Sequence, residues 1–317
     1  MAIEIPKRTY KGAIRTITLG VGDKAVTVGG ETSLPFYLFE GERPNPPRIA
    51  MEIWDMEPED WPEHALEPFK DVVHDPAAWA KKCVEEYGAE MICIQMISTD
   101  PNDKDVPADQ AADTVLKVLD AINGVPLIVW GTASHEKDTE VLKLICEKTH
   151  GKNLAIGPVE EGDHKQIGGS IIAYEHTCIS SSPIDINLAK QMNILLGNLG
   201  VSDDKILIDP TTGGLGYGIE YTYSVMERLM LAALTQEDER LQFPMINNMA
   251  KEVWKSKEAK LTPEEDPLMG DPKKRAITIE CVTAMLLLLA GSDLLVMRHP
   301  ESIKIVKDII NDFMAPN

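Results

Sequence analysis

The sequence predicts an α/β chain folded as a (β/α)8 TIM barrel with an N-terminal β-hairpin extension. Three observations carry this prediction. From residue 48 onward, short apolar runs alternate with longer helical patterns, as in repeated βαβ units around a parallel sheet. Eight such runs fall within about 270 residues, which suits a closed barrel better than an open doubly wound sheet. The 317 residues, 44% of them apolar, are enough to bury a sizeable core.

The extension occupies residues 1–47 and comes first. Ile17, Leu19 and Val21 alternate with polar or small residues, Gly22, Asp23 and Lys24 supply a turn, and Val26 and Val28 alternate again. The stiff stretch GERPNPP, residues 41–47, links this hairpin to the barrel over 48–317. A hairpin in this position either closes the barrel bottom or extends to a partner. Strands are predicted at Arg48–Ile53, Met91–Met96, Pro126–Trp130, Asn153–Gly157, Thr177–Ser180, Lys205–Asp209, Phe243–Asn247 and Asp293–Met297.

Helix starts are marked by Asp75-Pro76, Ser182-Pro183, Asp271-Pro272 and His299-Pro300, where Pro takes a first position that needs no N–H. Ser182 and Asp185 resemble a capping box, with Asp in place of Glu. Ile184, Leu188, Met192, Leu195 and Leu199 form one helical stripe, and Ile219, Tyr223, Met226, Met230 and Ala233 another. Asp163 to Tyr174 must supply a helix containing Gly168 and Gly169, so this unit admits a broken helix.

Composition excludes several functions. Lys+Arg of 31 against Asp+Glu of 51 gives a net charge of −20, which repels nucleic acid and anionic membrane. The start MAIEIPKRTY has no apolar signal region, so a cytoplasmic location is expected. The apolar run Cys281 to Ala290 falls short of the roughly 18 residues that span hydrocarbon. Cys83, Cys93, Cys146, Cys178 and Cys281 form no C-x-x-C pair, which argues for reduced, buried thiols rather than a zinc ribbon or iron–sulfur cluster on this chain.

In this fold the chemistry gathers where strands end. Those ends carry mainly neutral polar groups, among them Ser98, Thr132, Ser180, Ser181, Thr211 and Thr212. The one strand lysine, Lys205, sits at the wrong end for a Schiff base, and no H-x-H or H-x-x-x-H marks a metal site. The seven histidines read as surface, cap or hydrogen-bonded residues. No acid–base pair stands out, so neither a catalytic residue nor a metal ligand is assigned.

The loop DPTTGGLGYG, residues 209–218, lacks both G-x-G-x-x-G and a following Gly-Lys-Ser/Thr, so it supports neither dinucleotide nor P-loop binding. It serves either as a tight strand-to-helix turn or as a backbone that a broad, flat ligand approaches. Asp209, ending a strand, is either functional or a cap for that loop. Asn247 and Asn248 offer amide edges to a heterocycle, and Asn247 suits a turn equally well.

The stretches GGETSLPFY (29–37), GPVEE (157–161), SSSPIDIN (180–187) and DPTTGGLGYG (209–218) resemble the small subunit of the bacterial corrinoid/iron–sulfur protein of the acetyl-CoA (Wood–Ljungdahl) pathway. The resemblance implies a (β/α)8 barrel paired with a larger subunit that carries the [4Fe–4S] cluster and most of the corrinoid-binding domain. The heterodimer would take a methyl group from a methyltetrahydrofolate methyltransferase and deliver it on cobalt to CO dehydrogenase/acetyl-CoA synthase. On this expectation Ser180, Ser181, Thr211, Thr212, Gly213 and Gly214 approach the edge of the corrinoid (cobalamin). Ser98, Thr132, Asp209 and Asn247 surround them. Two alternatives share the fold: a methyltransferase that binds methyltetrahydrofolate alone, with Asp209 and Asn247 on the pterin, and a scaffold that touches no cofactor.

Overall fold

The computed structural model describes residues 6–213 and 218–315. An antiparallel hairpin, β1 (Thr16–Leu19) and β2 (Val26–Gly29), precedes eight parallel strands. These are β3 (Arg48–Trp54), β4 (Met91–Gln95), β5 (Leu127–Trp130), β6 (Ala155–Val159), β7 (Thr177–Ser181), β8 (Ile206–Asp209), β9 (Met245–Asn248) and β10 (Ser292–Met297). Each pairs with the next, and β10 returns to β3 to close the barrel. All eight predicted strands are present, shifted by two residues or fewer at either end.

Helices fill the connections. They are α1 (Glu63–Leu66), α2 (Pro76–Glu85), α3 (Ala108–Ala121), α4 (His135–Lys148), α5 (His164–Ala173), α6 (Ile186–Leu199) and α7 (Ile219–Thr235). Then α8 (Ala250–Lys255), α9 (Lys257–Lys260) and α10 (Pro272–Ala290) join β9 to β10, and α11 (Pro300–Met314) follows. Three of the four expected starts fall where Pro marks them, each with a side-chain cap. Asp75 accepts the N–H groups of Ala77 and Ala78, Asp271 that of Lys274, and His299 Nδ1 that of Glu301.

The fourth start differs. Helix α6 begins at Ile186 with Asp185 as its cap, accepting from Asn187 and Leu188, so Ser182 belongs to the preceding loop and no capping box forms. The buried face of α6 is correspondingly rotated to Ala189, Met192, Asn193 and Leu196, which leaves Leu188 exposed. The admitted break in α5 is also absent. A Cβ on Gly168 would stand 2.9 Å from Leu199 Cδ2, so glycine lets α5 lie close against its neighbour, and packing outweighs helix propensity.

Two apolar layers hold the fold. Side chains between strands and helices form the outer core, including Trp79, Phe69, Val115, Leu142, Leu196, Met226 and Leu287. The barrel interior is filled by Ala50, Met91, Cys93, Ile128, Ala155, Ile179, Leu207, Ile246, Leu294 and Val296. Ile17, Leu19 and Val28 of the hairpin join that interior layer, and Asn153 Nδ2 donates to the carbonyls of Thr18 (2.7 Å) and Gly20 (3.1 Å). The hairpin therefore closes the barrel bottom. A buried ion pair, Arg43 Nη2 to Asp293 Oδ1 at 2.7 Å, ties the linker to the same end.

All five cysteines are buried free thiols, and burial pushes Cys146 up to about 12 and Cys281 up to about 11. Among the described residues no helix is long and apolar enough to cross a membrane.

Candidate functional site

Side chains alternate across a strand, so the interior residues fix which later positions face the barrel mouth. Two residues beyond Ala50, Cys93, Ile128, Ile179, Leu207, Ile246 and Val296 stand Glu52, Gln95, Trp130, Ser181, Asp209, Asn248 and Arg298. Of these, Gln95, Trp130, Ser181, Asp209 and Asn248 line a mouth cavity of about 220 Å3, with Thr132, Thr211, Thr212, Glu160, Lys251 and Glu252 at its rim.

The same alternation removes two expected residues from the lining. Ser180 Oγ donates to Asn193 Oδ1 of α6 at 2.7 Å, behind the strand. Asn247 Nδ2 donates to Thr212 Oγ1 at 3.2 Å and approaches Met226 Sδ of α7 at 3.5 Å, so this amide also faces the helix layer. Its neighbour Asn248 turns inward instead. There it exchanges both amide hydrogen bonds with Gln95 across the barrel, Gln95 Nε2 to Asn248 Oδ1 at 3.0 Å and Asn248 Nδ2 to Gln95 Oε1 at 3.3 Å.

Most hydroxyls of the mouth already donate within the protein. Ser181 Oγ donates to Asp209 Oδ2 at 2.7 Å, and Thr211 N donates to Asp209 Oδ1 at 3.0 Å. Burial nevertheless lifts the Asp209 carboxyl to about 6. Ser98 Oγ and N donate to Asp55 at 2.5 and 2.9 Å, and burial lifts Asp55 to about 6 as well. Thr132 gives both its N–H and its hydroxyl to Asp138 Oδ1. Each donating hydroxyl retains lone pairs, so the mouth offers acceptors more than donors.

The described residues of the glycine loop, 209–213 and 218, are held by contacts within the protein. Thr211 sits at φ 60°, a strained region for a β-branched residue, while its hydroxyl donates to the Ser182 carbonyl at 2.6 Å. Gly213 N donates to Thr222 Oγ1 at 2.8 Å, and a Cβ on Gly213 would meet the Gly218 carbonyl oxygen at 2.6 Å. The missing side chain of Gly213 thus serves loop closure. Gly214 lies outside the described residues.

At the same level of the barrel but outside that cavity lining, Arg298 Nε pairs with Glu52 Oε2 at 2.6 Å, both side chains being buried. The guanidinium lies 3.6 Å from the Trp61 ring centre, with Trp54 at 5.7 Å and Trp254 at 5.8 Å. Beside the mouth lies an open slot of about 210 Å3, which shares Glu160 and Ser181 with it and is also lined by His135, Pro183, Leu188 and Met192. His135 Nδ1 bonds Asp163 Oδ2 at 2.8 Å, and that contact raises the imidazole above its ordinary range. Among the described residues no cluster of three or more His, Cys, Asp or Glu side chains is placed to hold a metal ion.

Residues 16–310 match the family described as CO dehydrogenase/acetyl-CoA synthase delta subunit. The chain belongs to this family. The match agrees with the resemblance carried by the four stretches quoted above.

Among relatives of this delta-subunit family member, the acetyl-CoA decarbonylase/synthase complex subunit delta of Archaeoglobus fulgidus is 35% identical, covering 96% of the chain and 69% of its own length. Subunit delta 2 of Methanosarcina acetivorans is 37% identical over 92% of the chain and 66% of its own length. The Methanothermobacter thermautotrophicus subunit delta is 34% identical over 97% and 78%. The chain thus spans between 66% and 78% of the length of these three.

Solved structures of similar shape include dihydropteroate synthases. The Xanthomonas albilineans enzyme with 4-aminobenzoic acid aligns at TM-score 0.61 and 12% identity, covering 95% of this chain and all of that one. The Vibrio fischeri enzyme aligns at 0.57 and 14%, covering 95% of this chain and all of that one. At such identities the likeness concerns the barrel alone.

Asp55, Glu160 and Arg298 stand at strand ends in the sequence with nothing local to mark a role, whereas sequence reasoning passed over Gln95 and Glu52 inside their strands. For Gln95 and Glu52 a signal was present, since each stands two residues after an inward apolar or small residue, Cys93 and Ala50. Asp55 was visible only as a strand-end residue, because its partner Ser98 is 43 positions away.

Proposed function

We propose that this chain is the small subunit of a heterodimeric corrinoid/iron–sulfur methyl carrier, its barrel mouth covering one face of the corrinoid. In that role it works between a methyltetrahydrofolate methyltransferase and acetyl-CoA synthase, within a multi-subunit acetyl-CoA decarbonylase/synthase complex. The observation that carries the reading is the acceptor-rich, mainly neutral mouth on a chain of the delta-subunit family. When bound, the corrinoid supplies the cobalt that holds the methyl group.

The residues suit such a group. A corrin is fringed by primary amides, whose N–H groups need acceptors, and Ser181, Thr211 and Asp209 present lone pairs at the cavity. Thr212 Oγ1 accepts from Asn247 and keeps its own hydrogen for a carbonyl of the ligand. A cavity of about 220 Å3 is below the roughly 300–1,000 Å3 that encloses a small ligand, so it seats one face and leaves the other to a second subunit. The five buried thiols support placing the [4Fe–4S] cluster on that larger subunit.

Asp209 favours a second reading. A buried strand-end carboxyl is suited to the amidine edge of a pterin, as a methyltransferase acting on methyltetrahydrofolate would require. Anaerobic purification from the source separates the two. A one-to-one complex with a larger subunit and a corrinoid absorption spectrum is expected. A colourless homo-oligomer that binds methyltetrahydrofolate unaided would replace the carrier with the enzyme.

A further inference from the structure

The connection from β9 to α10 stands on the mouth side of the barrel. Its first helix, α8, lines the mouth cavity through Lys251 and Glu252, and Lys260 at the end of α9 pairs with Asp60 of the loop after β3. Residues 261–271, LTPEEDPLMGD, carry four carboxylates and no Lys or Arg.

Arg275 organises this loop. Its Nε donates to the Glu258 carbonyl at 2.6 Å, its Nη1 to those of Met269 at 3.0 Å and Gly270 at 3.3 Å, and its Nη2 to that of Leu261. Asp266 accepts the Leu268 N–H at 3.1 Å, and Glu265 accepts the Thr262 N–H at 2.9 Å. Leu268 is nevertheless 95% exposed, with Met269 exposed beside it.

Single exposed apolar residues are ordinary, but a loop clamped at this many points cannot fold its leucine away from water. An apolar side chain on a preordered support meets a partner without the entropy cost of fixing the loop. The flanking Glu264, Glu265, Asp266 and Asp271 set the charge of what meets it.

We propose that Leu268 and Met269 form a docking knob for the subunit that shares the mouth, and that this partner carries an apolar socket rimmed by Lys or Arg. The inference rests on the carrier reading, because only a second subunit across the mouth brings a surface to this rim.

Anaerobic titration of the full chain with the large subunit tests it. Leu268→Asp weakens association by about tenfold to a hundredfold, the range for losing one buried leucine, with an unchanged melting temperature. Glu264→Lys weakens it less and flattens its dependence on salt. Wild-type affinity of Leu268→Asp with corrinoid retained would overturn the knob and leave the carrier reading standing. Failure of the wild-type chain to bind the large subunit at all would overturn both. If sedimentation shows that Leu268→Asp instead abolishes self-association of this chain, the occupant is a second copy and the knob is wrongly assigned.

Discussion

The Ser181 hydroxyl donates to the Asp209 carboxylate at 2.7 Å across the ends of neighbouring strands β7 and β8, and this contact sets the character of the mouth. It commits the serine hydrogen to the protein and leaves the serine lone pairs facing the cavity. It also opposes the burial that lifts Asp209, without cancelling it.

That residual lift predicts a pH signature. An aspartate raised from 3.8 to about 6 is protonated in the folded chain and ionised in the unfolded chain between about pH 4 and 6. The folded state binds the extra proton, so this carboxyl's contribution to stability falls as pH rises through that window, by about 3 kcal/mol at most. Asp209→Asn removes the slope that Asp209 supplies and keeps the one from Asp55. Urea unfolding of both proteins from pH 4 to 7 checks it. A stability gap that does not change with pH would mean the carboxyl is not lifted.

The Gly213 position predicts a steric effect. A Cβ there would press on the Gly218 carbonyl oxygen at 2.6 Å, and a backbone atom yields less readily than a side-chain tip. Gly213→Ala is expected to destabilise the chain by about 1–3 kcal/mol, the usual range for overpacking. Thermal unfolding reports it directly, and an unchanged melting temperature would show that the loop has room to move.

How far the sequence reaches is clearest at the strand ends. Apolar runs locate all eight strands, since a buried parallel strand must be almost continuously hydrophobic. Facing is harder to read, because Ser180 and Ser181, or Asn247 and Asn248, are chemically alike and only alternation separates them. Extending it from Ile179 and Ile246 selects Ser181 and Asn248. Contacts such as Asp55 with Ser98 depend on the barrel bringing remote loops together, which no local pattern encodes.

The buried Glu52–Arg298 pair gives a third prediction. Arg298→Leu alone leaves Glu52 charged and unpaired in the barrel and is expected to cost about 3–5 kcal/mol. Pairing it with Glu52→Met removes the orphaned charge and restores most of the loss, because the desolvation cost of both ions disappears together. Chemical denaturation of the two single variants and the double variant measures the coupling. Additive losses would show that the ions do not depend on each other.

Facing also makes a prediction about the cofactor that stability alone cannot mimic. Ser180→Ala removes the donor to Asn193 Oδ1 and should cost about 1–3 kcal/mol, since it leaves a buried acceptor unpaired, yet it changes nothing that faces the mouth. Asn248→Leu breaks the amide pair with Gln95 and places a methyl-ended side chain in the cavity lining. Under the carrier reading, cobalt per heterodimer falls severalfold in Asn248→Leu and stays at the wild-type value in Ser180→Ala. Both variants are measured after anaerobic reconstitution with the large subunit, at a temperature where each remains folded. Equal cobalt in the two would mean that the corrinoid does not rest on the inward-facing residues, and the mouth would lose its place as the cofactor surface.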